Sequence, residues 1–306
     1  MAGRADHSHA HARIDGPRRR LFIAVSLTVG VLIAEMIGSR LTGSLALLAD
    51  AGHMLTDVAG TGLAILAMTL GARPATVQRT YGFARLEIFA AVLNGVLLFG
   101  IAGFLIVEAW QRWSAPPQVR GVEMLLFAAA GAVVNAISLL ILRGDAKASI
   151  NVRGAYLEAL GDLLGSGAVV IAAIIITLTG WQRADVVASV AVALMILPRT
   201  WALLRDAVDV LLEAAPKNID LAVVREHIGG VRGVIGAHDL HVWTLTSGMP
   251  VLSVHVVVAD DVLANGESAR VLDDLTVCLA DHFDVAHCTF QLEPESHAEH
   301  ESGLHQ

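Results

Sequence analysis

The chain has 306 residues, 55% of them hydrophobic and only 16% charged, with 21 Lys and Arg against 29 Asp and Glu for a formal net charge of −8. So little charge on so apolar a chain excludes an ordinary soluble globular protein and leaves stretches long enough to cross a bilayer. No basic patch interleaved with aromatics occurs, which argues against nucleic acid as a partner.

Residues 1–20 are polar and carry His7, His9 and His11, then Arg18, Arg19 and Arg20. They read either as an unstructured tail or as a weak metal-collecting one. The first apolar segment runs on past Leu32 without a small-residue cleavage site, so it is read as a retained span. Apolar runs at roughly 21–38, 44–70, 83–110, 121–142, 156–179 and 184–203 predict six transmembrane helices. The loops after the second, fourth and sixth are assigned Arg73, Arg79, Arg85, Arg143, Lys147, Arg153, Arg199 and Arg205. The opposite loops hold Arg40, Arg112, Arg120 and Arg183. With the N-terminal arginines added, positive-inside bias places both termini in the cytoplasm.

From about Leu204 the character changes. Residues 219–229 have helical spacing, and 236–246 and 250–258 read as strands with Ser247-Gly248 near their turn. Residues 266–282 read as an amphipathic helix and 286–293 as a last strand. This α-β-β-α-β order predicts a small two-layer α+β domain with helices on one sheet face. The expected organisation is a membrane domain over 21–205 and a cytoplasmic α+β domain over 206–294. A polar tail, read as unstructured, follows at 295–306 with His297, His300 and His305. Cys278 and Cys288 are the two cysteines, read as reduced thiols in that domain.

Within the second span, GSLALLADAGHMLTDVAGTG at 43–62 carries Asp50, His53 and Asp57. An ionisable group at membrane depth costs on the order of 2.5–3.5 kcal/mol on insertion scales, so something must compensate it. His53 and Asp57 are four apart and project from one helix face. The spacing recurs in the fifth span, YLEALGDLLGSG at 156–167, with Glu158 and Asp162. Two helices with such pairs supply four N/O donors, a tetrahedral set suited to one zinc or similar divalent cation. A buried hydrogen-bonded pair fixing helix packing is the alternative for either pair alone.

These motifs, with RTYGFARLEIFAAVLNG at 79–95 and NVRGAYLEALGDLLGS at 151–166, resemble the cation diffusion facilitator family. The likeness runs from about residue 21 to 293 and is to the bacterial cobalt–zinc–cadmium efflux branch. It implies a six-helix membrane domain, a metallochaperone-like cytoplasmic domain and a homodimer. It also implies a transport site at His53, Asp57, Glu158 and Asp162. The family more often has His where this chain has Glu158, and three carboxylates with one imidazole make a harder site. That opens the site to cobalt, cadmium, iron or manganese beside zinc. The His-rich linker of many relatives is absent between the fourth and fifth helices. The loop between the second and third has no His, Asp or Cys, so no metal site is expected there.

Asp50 reads as a residue supporting the metal ligands or lining the ion's path, or as an interface charge. Asn94 and Asn135 read as residues supporting the metal site or its pathway, as interhelical hydrogen-bond partners rather than ligands. Glu35 and Glu87 read as packing or interface charges. Gly60, Gly62, Gly165 and Gly167 are small-residue positions that let helices approach. Among His238, His241, His255, His287 and Glu293, the resemblance marks His238 and His255 as dimer-interface metal positions. Glu293 stands with them as a third donor, beside Gln291, where relatives with that site have His and Asp. Surface histidines are the competing reading.

The sequence thus points to a secondary-active exporter of divalent cations, exchanging them for protons across the cell membrane. It needs no cofactor; zinc or a similar cation is the substrate. No GxxxxGK[ST] occurs, so ATP is not the direct energy source. An intramembrane metal hydrolase would need an open metal position and a general base, and neither HExxH nor a nucleophile–base pair occurs at depth. A membrane metal sensor acting through the cytoplasmic domain is the remaining alternative.

Overall fold

The structure is a computed structural model that describes residues 15–143, 150–283, 285 and 287–298. His7, His9, His11, His300 and His305, with linker residues 144–149, lie outside the described residues. Six long helices lead: α1 (Asp15–Thr42), α2 (Leu45–Gly71), α3 (Leu86–Ser114), α4 (Gly121–Leu142), α5 (Ile150–Thr179) and α6 (Arg183–Leu211). All six are long and apolar enough to cross a membrane. Outward residues such as Phe104, Leu126, Leu140 and Ile171 are exposed, as side chains solvated by lipid are.

The helices outrun the apolar runs that predicted them. Helix α5 starts at Ile150 rather than Tyr156, and α6 continues through Pro198 to Leu211. Arg199 and Arg205 therefore lie within α6, not in a loop after it. Helical hydrogen bonding does not depend on apolarity, so a span extends into polar surroundings without a break.

The chain divides into two compact units, one holding the parts up to Gly62 and Asn94–Ala202, the other Leu63–Leu93 and the chain from Leu203 on. In the first, α2 is central. Its Leu45 and Ala49 pack with Leu98 and Leu105 of α3 and Val192 and Ile196 of α6. Ala46 and Leu47 meet Met124 and Ala128 of α4 and Val169 and Ala173 of α5, while Ala51 and Met54 meet Val31 and Leu32 of α1. Alanine and glycine at these contacts allow close approach. A Cβ at Gly60 or Gly165 would meet Asn94 at 2.5 Å or Asp50 at 2.6 Å. Gly62 and Gly167 have nothing within 4 Å, so close packing does not explain them.

One end of this unit is tied together. Asp185 of α6, buried, accepts from Ser44 Oγ (2.5 Å) and from the Leu45 and Ala46 N–H groups (2.8 and 3.1 Å) at the start of α2. A carboxylate from another helix thus satisfies the free N–H groups of α2 and complements its dipole. Arg112 donates to the Gly43 carbonyl (2.9 Å), where φ is +75°, and Val119 N donates to Gln182 Oε1 (2.9 Å). Asp185→Ala leaves three buried donors without acceptors, a loss of roughly 1–3 kcal/mol for each that finds no other partner. Thermal unfolding in detergent should show a lowered midpoint, and Asp185→Asn should recover part of it.

In the second unit, α7 (Leu221–Gly229) starts where the Asp220 side chain accepts from Ala222 N (2.9 Å). β1 (Val234–Thr246) and β2 (Met249–Val258) form an antiparallel hairpin. β3 (His287–Pro294) joins β2 in parallel, giving the order β1-β2-β3. Between β2 and β3 lie α8 (Asp260–Ala264), which periodicity did not reveal, and α9 (Ser268–His282); α10 (Glu295–Ala298) follows. That last turn falls in the stretch expected to be an unstructured tail. Leu252, Val254, Val256 and Val258 alternate along β2 and pack with Val224 and Ile228 of α7 and Leu275 and Leu279 of α9. Helices therefore cover this sheet face, and Ser253, His255 and Val257 take the other. Cys278 and Cys288 are free thiols, and partial burial pushes the Cys288 thiol up.

Candidate metal centre

Position four apart on α2 brings His53 Nε2 to 3.4 Å from Asp57 Oδ2. Packing of α5 against α2 brings in Asp162, whose Oδ1 is 3.9 Å from the same nitrogen. One donor from each residue lies within 4.8 Å of the others. Donors about 2.0–2.2 Å from a tetrahedral zinc lie roughly 3.4 Å apart, so the three stand close to a binding arrangement. Asp57 Oδ2 and Asp162 Oδ1 are buried without a hydrogen-bond partner among the described residues. Buried anions in that condition call for a cation. One imidazole and two carboxylates balance a divalent charge.

Glu158 is not in this group. Its Oε1 lies 3.8 Å from Arg199 Nη2 of α6, with 34% of the side chain exposed. It does share a cavity of about 90 Å³ with Asp57 and Asp162, lined also by Ala24, Thr28, Thr61, Ser138 and Leu142. The fourth donor is therefore within the same chamber but turned toward an arginine. Arg199 escaped the sequence reading, which counted it as a loop charge; an arginine inside a sixth span was the signal.

Asp50 is fully buried. Its Oδ2 accepts from Ser166 Oγ at 2.9 Å, and Asn135 Nδ2 donates to Ser166 Oγ at 3.3 Å. Asn135 thus makes the interhelical hydrogen bond expected of it. Asn94 packs against the Gly60 backbone, its Oδ1 without a hydrogen-bond partner among the described residues. Glu35, expected to be a packing or interface charge, is also fully buried. Glu87, in the second unit, accepts from Thr246 Oγ1 and from Ser247 Oγ (2.7 Å).

A second cluster lies on the uncovered face of the sheet. His238 and His255 are directly paired across β1 and β2, their rings 5.1 Å apart. Asp239 has φ +47° and the register shifts between His238 and His241. This bulge re-aims the strand, so His238 joins His255 while Leu240 and Val242 stay in the core. Glu293, buried, reaches His255 Nδ1 with Oε1 at 2.7 Å and His238 Nε2 with Oε2 at 3.2 Å. Gln291 donates to Glu293 Oε1 (2.7 Å) rather than joining the donors. The three donors again lie within 4.8 Å of one another. His241 pairs with Ser253, and His287 stacks edge-on with Tyr81 at 6.1 Å, so neither belongs to the cluster.

Known proteins resemble the chain along nearly its whole length. A family profile described as the cation efflux transmembrane domain matches residues 21–212, and one described as the cation efflux protein cytoplasmic domain matches 216–295. The chain is 46% identical to the metal cation efflux system protein CzcD of Cupriavidus metallidurans, over 94% of this chain and 90% of that protein. It is 41% identical to a cadmium, cobalt and zinc/H(+)-K(+) antiporter of Bacillus subtilis, over 94% and 93%. It is 39% identical to the zinc transporter ZitB of Escherichia coli, over 96% and 93%. With six apolar helices, both domains matched in order and identity along nearly the whole chain, the protein belongs to the cation diffusion facilitator family of cation efflux proteins.

Proposed function

We propose that this protein exports divalent metal ions, zinc foremost and also cobalt or cadmium, from the cytoplasm in exchange for protons. The observation that carries the reading is the group of His53, Asp57 and Asp162, the first two half-buried and the last buried, beside a cavity and charge-balanced for a dication. Glu158 completes the site as its fourth donor once it leaves Arg199. The names borne by the relatives from Cupriavidus metallidurans, Bacillus subtilis and Escherichia coli support the substrate class.

The cavity is lined from the early turns of α1 and α5, the middle of α2 and the last turns of α4, toward the end of the bundle where α1 begins. The opposite ends are those tied by Asp185, Arg112 and Gln182. Positive-inside bias puts the termini in the cytoplasm, so this arrangement loads metal from the cytoplasm of a cell-membrane exporter. Export then requires the tied end to open. His238, His255 and Glu293 hold a second metal ion on the cytoplasmic domain, which supports a homodimer. Such a role is transport, not catalysis, and requires no resident cofactor.

Ligands must shed protons to take a metal, so loading releases protons and unloading takes them up. In a zinc-sensitive host, expression of the chain should lower cell zinc and restore growth on zinc. A protein that binds zinc yet leaves cell zinc unchanged would favour the sensor reading.

A further inference from the structure

Glu35 lies two turns before the end of α1, fully buried, and the metal cluster makes no use of it. Neither of its carboxylate oxygens meets a donor among the described residues. Beside it stands another carboxyl, that of Asp50 on α2. Asp50 in turn satisfies Oδ2 with Ser166 Oγ and leaves Oδ1 without a donor. Among the described residues, the elements around the pair bring no lysine or arginine to it. Helix α4 presents Gly131 and Asn135, and α5 presents Gly165, Ser166 and, as its charged group, Asp162. Among the described residues no lysine or arginine pairs with Glu35 or Asp50.

Two ionised carboxylates are acceptors only and cannot bond one another. In a poorly solvated interior their repulsion goes unscreened. A single proton between them supplies the donor that both lack and removes one of the two charges. A metal ion there would need a shell of ligands, and the packing leaves no room for one. A Cβ at Gly131 would lie 2.6 Å from Glu35 Oε1, and a Cβ at Gly165 would lie 2.6 Å from Asp50 Oδ1. Both carboxyl groups are pressed against the backbones of α4 and α5.

We propose that Glu35 and Asp50 share one proton, and that this proton is a counter-ion released when a divalent metal binds at His53, Asp57 and Asp162. Asp50 stands one turn before His53 on α2, so a bound dication stabilises the fully ionised pair and drives the proton off. The proposal rests on the proton-exchange reading and adds a proton site distinct from the metal ligands.

Calorimetric titration of the full chain in detergent with zinc, in buffers of different ionisation enthalpy, counts protons released per zinc. Glu35→Gln and Asp50→Asn should each release one proton fewer than the unaltered protein. Because the proton is shared, the double variant should lose one and not two. An unchanged count in Glu35→Gln, against an unaltered protein that does release protons, overturns this proposal alone. An unaltered protein that releases none overturns proton exchange and the proposal with it. Should the neutral variants fail to fold, infrared spectroscopy serves with Glu35 and Asp50 intact. In metal-free Asp57→Asn/Glu158→Gln/Asp162→Asn protein, the carbonyl stretch of a protonated carboxyl should persist, and its absence overturns the proposal. Repeating the titration with potassium in place of an organic cation should leave the proton count the same. A count that falls with potassium would assign the pair to a monovalent cation instead.

Discussion

Asp162→Ala and Asp57→Ala should each reduce zinc transport to background while expression and helix content persist. Each substitution removes one of three clustered donors and one of the two charges that balance the dication. Loss of mere outer-sphere support to a metal commonly costs 10–100-fold, so loss of a direct donor should cost at least ~100-fold. The bundle itself has little to lose. Asp162 Oδ1 and Asp57 Oδ2 have no hydrogen-bond partner among the described residues, and the packing around α2 is carried by apolar side chains. Asp162→Asn keeps the shape and removes the charge, so it should fail nearly as fully as alanine. Near-normal zinc tolerance in a sensitive host carrying either alanine variant would mean that the cluster does not bind the cargo.

The second large effect is on selectivity. Glu158 lines the chamber with Asp57 and Asp162 yet lies 3.8 Å from Arg199. Glu158→His replaces a hard oxygen donor with an imidazole and cannot pair with Arg199 as the carboxylate does. Two imidazoles and two carboxylates suit zinc, whereas manganese prefers an all-oxygen set. The ratio of zinc to manganese flux should rise by about tenfold, one ligand's worth of preference. An unchanged ratio would show that Glu158 does not reach the ion during the cycle.

Much of this was legible because apolar runs and four-residue spacing are local. Six spans, the α2 and α5 pairs and the hairpin all follow from periods read along the chain. His53 and Asp57 meet through helix geometry alone, and Asp162 joins them because α5 packs beside α2. What was lost depends on tertiary contact or on polar helix ends. Glu35 meets a carboxyl fifteen positions on, in another helix, so nothing near it in sequence marks it as paired. Its one signal was an acidic residue in an otherwise apolar span. Arg199 was misplaced because it was counted with the loop charges although the sixth apolar run, 184–203, already spans it. In the α+β domain, His238 joins His255 only through the bulge at Asp239, and a strict period of two would have sent it to the core face with Leu240.

The central claim is metal export coupled to proton entry at this site. It is tested most directly by purified protein in liposomes, with zinc flux and internal pH followed together and the membrane potential clamped. Opposite movement of protons should scale with zinc flux, reverse when the zinc gradient is reversed, and vanish with it in Asp162→Ala. An imposed pH gradient alone should drive zinc against its own gradient. Zinc flux with no proton movement, and no response to an imposed pH gradient, would contradict the account and leave a passive metal pathway.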